Sequence, residues 1–150
     1  MPRVIEHVFT EIHNRPETAY TVKVSYLEIY NESLSDLLAE NPDADSDLQI
    51  LEDNKGSIMV RGLFTPVANN EEEALSLMFQ GETNRSIEEH QLNKNSTRSH
   101  CIFTVHLESR SRVESSGQTV YSKLHIVDLA GSERVGKTHS TGVVLKEAQY

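Results

Sequence analysis

The stretch that most constrains the fold is residues 123–134, which read KLHIVDLAGSER. A short apolar run ends abruptly at Asp128, and Gly131 follows three residues later. A strand that ends in a carboxylate fixes the carboxylate in place, and a glycine lets a backbone N–H approach an anion closely. This pattern is typical of a phosphate-and-metal site, because Mg²⁺ prefers oxygen ligands. An ordinary turn leaving the core is the alternative interpretation.

Length and composition limit the classes of protein and partner. The 150 residues suffice for one domain with a sizeable core. With 14 basic and 23 acidic residues the net charge is -9, which argues against nucleic acid as a partner. The single Cys101 excludes a disulfide framework and favours a reducing, cytoplasmic compartment. The sequence has no apolar run that could span a bilayer and no signal peptide, so we expect no membrane association.

Hydrophobic periodicity predicts a chain of both helices and strands, which is an α/β class. Helical spacing covers residues 1–15, 31–38, 70–86 and 143–150. In the third of these, Asn70 is the predicted N-cap and Glu73 completes a capping box, while Met78 and Phe79 are predicted to lie in the core. Alternating apolar residues predict strands at 20–30, 101–107 and 119–127, and a hairpin of 48–51 with 57–60. A turn-rich connector predicts that the strands at 101–107 and 119–127 pair antiparallel.

Residues 131–138 read GSERVGKT and match the P-loop pattern G-x-x-x-x-G-K-[ST]. This interpretation would make the chain a P-loop NTPase in which Lys137 contacts the phosphates and Thr138 coordinates Mg. A P-loop lysine and threonine should open a helix directly, so that the helix N-terminus faces the phosphates. Here residues 139–142, which end in a glycine, intervene. The interpretation therefore stays an alternative.

Three separated stretches together resemble the kinesin motor domain. They are YLEIYNESLSDLL at 26–38, NKNSTRSH at 93–100 and DLAGSE at 128–133. The second is similar to the switch I motif N-x-x-S-S-R-S-H, with Thr97 in place of the second Ser, and the third is the switch II motif unchanged. LKEA at 145–148 is similar to the start of the helix that follows switch II. The resemblance covers residues 1–150. The sequence at residues 3–15 and 25–38 is most similar to the kinesin-9 type, a branch of the family that is associated with motile cilia.

The resemblance assigns the binding of ATP and Mg to residues in both motifs. Ser96 and Thr97 would contact a γ-phosphate oxygen and Mg, and Asp128 would hold Mg through water. Gly131 would offer its N–H to the γ-phosphate, and Asn93 would order the switch I loop.

The resemblance also implies the catalytic residues. Arg98 and Glu133 would pair across the two switches, close the site and, with Ser96, help position the attacking water. We therefore expect their strands to be neighbours.

The resemblance implies an α/β fold, the central part of a motor domain with a mixed, mostly β-rich sheet flanked by helices. It also implies that the chain is a segment of an ATP-dependent motor that moves on the microtubules of the cytoskeleton. The family's P-loop, G-Q-T-x-x-G-K-T, and most of its track-binding elements are not found in the 150 residues. The alternative is therefore a truncated, non-enzymatic fragment without ATPase activity. Without the strand that carries the P-loop, the strand ending at Asp128 should have an unpaired edge that is prone to associate with other chains.

Overall fold

The computed structural model describes residues 1–39, 48–54, 56–92, 99–113 and 117–131, with side chains of the second helix described to Ser86. Its elements, in chain order, are α1 (Pro2–His13), β1 (Thr18–Tyr30), β2 (Ser33–Asp36), β3 (Gln49–Glu52), β4 (Ile58–Arg61), α2 (Glu71–Leu92), β5 (His100–Ser111) and β6 (Thr119–Asp128). In the described part of the chain, no helix is both long and apolar enough to cross a membrane.

The main sheet has four strands in the order β2-β1-β5-β6, and neighbouring strands run antiparallel. β3 and β4 form a separate two-stranded hairpin. The structure confirms the predicted α/β fold and the predicted strands. It also confirms the antiparallel pairing of β5 with β6, in which Cys101 lies opposite Asp128.

The core lies between one face of the sheet and the two helices. It contains Ile5 from α1 together with Ala74 and Met78 from α2. The sheet contributes Val22, Val24, Tyr26, Cys101, Phe103 and Val105. These positions alternate along β1 and β5, so they share one face. The rings of Tyr26 and Phe103 meet edge to face, with centroids 5.4 Å apart.

The start of α2 follows the predicted capping box. The Glu73 N–H donates to Asn70 Oδ1 at 2.8 Å, and the Glu73 carboxylate accepts the Asn69 N–H at 2.8 Å. The helix continues to Leu92, six residues beyond the predicted end at 86. Met78 is buried as predicted, but Phe79 is 57% exposed. Phe79 lies one residue, and so about 100° of helix rotation, away from Met78, which takes it off the core-facing stripe.

The prediction of helix for residues 31–38 is wrong. Tyr30 pairs with Ser33, so the chain reverses in a two-residue hairpin and continues as β2. Asn31 and Glu32 have φ angles of 47° and 63°, as a type I′ turn requires. The buried Asp36 carboxylate then accepts the N–H of Leu38 at 3.0 Å and of Phe64 at 2.6 Å. Those bonds fix the chain where β2 ends.

Candidate functional site

The described ends of the two motif segments, residues 99–100 and 128–131, meet at one end of the sheet, where β5 begins and β6 ends. The pairing of Cys101 with Asp128 sets this arrangement. His100 Nδ1 accepts the Ala130 N–H at 3.0 Å. That bond ties the backbone between Asp128 and Gly131 to the start of β5. The two segments are therefore in direct contact through their backbones and one side chain.

A guanidinium from α2 lies between two carboxylates at this end of the sheet. Arg85 Nη1 lies 3.2 Å from Asp128 Oδ2, and Arg85 Nε lies 3.9 Å from Glu28 Oε1. The side chains of Arg85 and Glu28 are only 14% and 8% exposed, whereas that of Asp128 is 63% exposed. Arg85 therefore joins a buried carboxylate on β1 to an exposed one at the end of β6. We call these three residues the Arg85 bridge.

The surroundings keep Arg85 charged. Burial alone lowers the pKa of Arg85, but its acidic neighbours, among them Cys101, Asp128 and Glu28, outweigh burial and raise the pKa above its usual value. A guanidinium is a suitable group for such a partly buried site, because it is always charged and donates from several nitrogens.

Two neutral groups complete the surroundings of the bridge. Burial raises the pKa of the Cys101 thiol to about 12, and the thiol Sγ lies 3.8 Å from Glu28 Oε1. Burial also raises the pKa of Tyr26, whose hydroxyl donates to Glu82 Oε1 at 2.5 Å. Both groups stay protonated at neutral pH, so neither adds a charge to the surroundings of Arg85.

The structure places two of the residues that the sequence predicts for the site. Asp128 ends β6 beside Arg85, and Gly131 follows on an exposed stretch. The other five, Asn93, Ser96, Thr97, Arg98 and Glu133, lie outside the described residues. The neighbouring strands expected for the Arg98–Glu133 pair are confirmed, and the pair itself stays a prediction. Residues 132–150, which include Lys137 and the helix predicted at 143–150, are also outside the described part.

Sequence reasoning missed the Arg85 bridge. A usable signal is present, because Arg85 stands seven residues after Met78 and eleven after Ala74. That spacing puts Arg85 on the apolar face of α2, where a charge requires a partner. Glu28 gives the same signal on β1, since it alternates with Val24 and Tyr26 on the core-facing side.

The described residues fit a weakly ligated magnesium ion. Among them, no group of three or more His, Cys, Asp or Glu is placed to hold a metal. Oδ2 of Asp128 contacts Arg85, and the Asp128 side chain is largely exposed to solvent. Mg²⁺ keeps several waters and takes few protein carboxylates where phosphates bind it, so one exposed carboxylate suits contact through water.

Comparison with known proteins matches residues 1–150 to the kinesin motor domain. The chain is 52% identical over its whole length to human kinesin-like protein KIF9 and 50% identical to KLP1 of Chlamydomonas reinhardtii. It spans 19% of the length of each of these relatives. A solved structure described as a fast kinesin superposes with a TM-score of 0.86 at 37% identity. That superposition covers 99% of this chain and 41% of the other.

Proposed function

The chain belongs to the kinesin motor-domain family, and from this premise we propose that it is a segment of an ATP-driven microtubule motor. The observation that carries the proposal is the meeting of the two switch-like segments at one sheet end, with Asp128 opposite Cys101 and Ala130 bonded to His100. A motor must link the state of its nucleotide to movement of its backbone, and segments in direct contact can do so.

In the complete motor, the two segments divide the work of phosphoryl transfer. Ser96 and Thr97 would hold a γ-phosphate oxygen and Mg, Asp128 would hold Mg through water, and Gly131 would donate its N–H to the γ-phosphate. The metal supplies charge neutralisation on the phosphates when it is bound. Asn93 orders the first segment.

Closure of the site is the role we assign to Arg98 and Glu133. Their ion pair joins the segment before β5 to the segment after β6, and with Ser96 it helps position the attacking water. The pairing of β5 with β6 supports this role, because it brings the two segments to the same end of the sheet.

The Arg85 bridge orients the carboxylate of Asp128. Arg85 holds Oδ2 of Asp128 at 3.2 Å, so the carboxylate is already oriented before a nucleotide arrives. The buried Glu28 keeps the guanidinium in place from the other side. We assign Arg85 as a positioning residue that reduces the reorganisation needed at Asp128.

The test uses the full-length parent protein and measures microtubule-stimulated ATP turnover. Arg98→Ala and Glu133→Ala should each abolish turnover while ATP binding remains, because both residues act in closure and not in holding the nucleotide. Glu52→Ala, on the exposed strand β3, is the matched control and should leave turnover unchanged. Normal turnover in both switch variants would contradict the proposal.

A second pair of variants separates this proposal from the P-loop alternative. If residues 131–138 formed the phosphate cradle, Lys137→Ala would abolish nucleotide binding and Asp128→Ala would only weaken it. Our proposal expects nucleotide binding to survive Lys137→Ala.

We propose microtubules of the cytoskeleton, and motile cilia in particular, as the location of the parent protein. The similarity to KIF9 and KLP1 supports this assignment. Imaging of the tagged parent protein against a microtubule marker tests it, and a distribution unrelated to microtubules would contradict it.

A further inference from the structure

The backbone pairing between β5 and β6 ends at the pair of Cys101 with Asp128. On the β5 side the sheet continues for one more residue, because His100 still pairs with β1. On the β6 side the strand stops, and Leu129 leaves the sheet with 71% of its surface exposed. Within the described part of the chain, residues 129–131 therefore have no strand partner, and another contact must hold their backbone.

A side chain forms that contact. His100 Nδ1 accepts the N–H of Ala130 at 3.0 Å. A backbone N–H only donates, so Nδ1 carries no proton, and His100 is the neutral tautomer with its hydrogen on Nε2. His100 and Ala130 are both half-buried, which limits the competition from water for this bond. The imidazole thus adds one more bond between the two strands after their backbone pairing has ended.

This bond lies one peptide group before the N–H of Gly131. It restrains the peptide group between Leu129 and Ala130, and peptide groups are planar. Only the φ and ψ angles of Ala130 separate that plane from the next peptide group, which carries the Gly131 N–H. The direction of the Gly131 N–H therefore depends on whether His100 holds Ala130.

We propose that His100 is the positioning residue that aims the Gly131 N–H, and that it thereby sets how well the protein distinguishes a nucleoside triphosphate from a diphosphate. The inference rests on the proposed function, in which Gly131 donates to the γ-phosphate. A diphosphate has no γ-phosphate. A misdirected Gly131 N–H therefore weakens the binding of the triphosphate and leaves that of the diphosphate unchanged.

The role of His100 differs from that of Arg85. Arg85 contacts the side chain of Asp128, whose proposed partner, Mg, accompanies both nucleotides. His100 contacts the backbone of Ala130, two residues further along, and so acts on a group that meets only the triphosphate. Selectivity between the two nucleotides is therefore the property that identifies the role of His100.

Hydrogen exchange in the nucleotide-free parent protein tests the bond itself. His100→Leu and His100→Asn are a matched pair, because the two side chains have the same branched shape and only asparagine keeps an acceptor where Nδ1 lies. The Ala130 N–H, followed by mass spectrometry of peptides that cover residues 128–131, should exchange faster in His100→Leu. In His100→Asn it should exchange at nearly the wild-type rate. His100→Gln, whose acceptor lies one bond further out, is a second variant and should behave like His100→Leu.

Nucleotide affinity tests the role. The parent protein is titrated with Mg-ADP and with the Mg complex of a non-hydrolysable ATP analogue. A hydrogen bond of ordinary strength corresponds to a factor of about two to ten in affinity. His100→Leu should weaken binding of the analogue by that factor and leave ADP binding unchanged, and His100→Asn should restore most of the difference.

His106→Leu is the control for the loss of a half-buried histidine on β5. His106 lies six residues further along the strand, about 20 Å from His100, and its Nε2 is hydrogen-bonded to Ser25 Oγ at 3.0 Å. This variant should leave the ratio of the two affinities unchanged.

Each outcome decides the inference. Faster Ala130 exchange with a selective loss of analogue affinity in His100→Leu, both reversed in His100→Asn, supports it. Unchanged exchange in His100→Leu and His100→Gln overturns the bond. An equal loss for both nucleotides, no loss for either, or the same selective loss in His106→Leu overturns the role of His100. A wild-type parent protein that binds neither nucleotide contradicts the proposed function and with it this role, while the exchange result separately decides whether His100 holds Ala130.

Discussion

Replacing Arg85 with methionine tests whether the guanidinium holds the end of the sheet together. The two carboxylates that it contacts differ in burial, because the Glu28 side chain is 8% exposed and that of Asp128 is 63% exposed. Removing Arg85 leaves Glu28 buried beside the neutral thiol of Cys101. Removing the charge of Asp128 leaves Arg85 with Glu28 as its partner.

The burial of Glu28 sets the size of the expected effect. Breaking a buried ion pair by removing one partner costs about 3–5 kcal/mol, whereas an exposed pair contributes about 1 kcal/mol or less. Arg85→Met should therefore destabilise the fold several times more than Asp128→Asn. With a urea m-value of about 2 kcal/mol/M, Arg85→Met lowers the unfolding midpoint by about 2 M.

Urea unfolding followed by circular dichroism at low protein concentration measures both variants. Glu28→Gln in the Arg85→Met background is the decisive control, because it removes the stranded charge and should restore much of the lost stability. The reasoning is refuted if Arg85→Met lowers the free energy of unfolding no more than Asp128→Asn does, or if Glu28→Gln restores none of the lost stability. Either result would mean that Arg85 does not stabilise the buried charge of Glu28.

Two further predictions concern the core and the pH dependence of folding. A Cβ added at Gly81 would overlap the buried Tyr26 ring, so Gly81→Ala should lower the free energy of unfolding by about 1–3 kcal/mol. At an ordinary helix position the same change raises it by about 1 kcal/mol. The exposed Gln80→Ala is the control, and an equal change in unfolding free energy for the two variants would contradict the packing of Gly81 on Tyr26. Burial first, and then Lys123, His125 and Lys23, lower the pKa of His106. A lowered pKa in the folded protein means that the unfolded chain binds the proton first, so the free energy of unfolding should fall as the pH drops below about 6.5. In His106→Gln, urea unfolding at several pH values should show a weaker dependence of that free energy on pH. An unchanged dependence would contradict the assignment to His106.

Sequence patterns predicted most of the fold because the sheet has one buried face. Alternation along β1 and β5 and the capping box of Asn70 are direct consequences of which groups must be buried or bonded. The β1–β2 turn escaped prediction because Asn31-Glu32 lacks the glycine that usually marks a type I′ turn. Leucines at 34, 37 and 38 then suggested helical spacing, although backbone pairing with β1 decides the structure there.

The site was predictable to a smaller extent. The sequence could place Asp128 at the end of a strand and Gly131 just after it, because the apolar run stops there. Their roles at the site stay predictions. Arg85 and Glu28 could not be paired from sequence alone, since their contact joins residues 57 positions apart (85 minus 28). Local patterns reveal that each charge faces the core, and only the packing of α2 on β1 reveals that they face each other.

The last prediction concerns the ATPase activity of the 150-residue chain by itself, and it depends on the charged groups near the end of β6. Phosphate affinity in P-loop NTPases depends mainly on a backbone cradle, its lysine and a hydroxyl on Mg. At the end of β6, the described charges are the two carboxylates of Asp128 and Glu28 against the one guanidinium of Arg85. The guanidinium is already held between the two carboxylates, so among these three side chains no cation is left to offset the charge of a polyphosphate. We therefore expect no measurable ATP turnover from this chain, with or without microtubules, in an assay of the purified chain with Mg-ATP. Turnover that Glu133→Ala abolishes would show that the two switch segments hydrolyse ATP without a separate cradle, and it would overturn this reasoning.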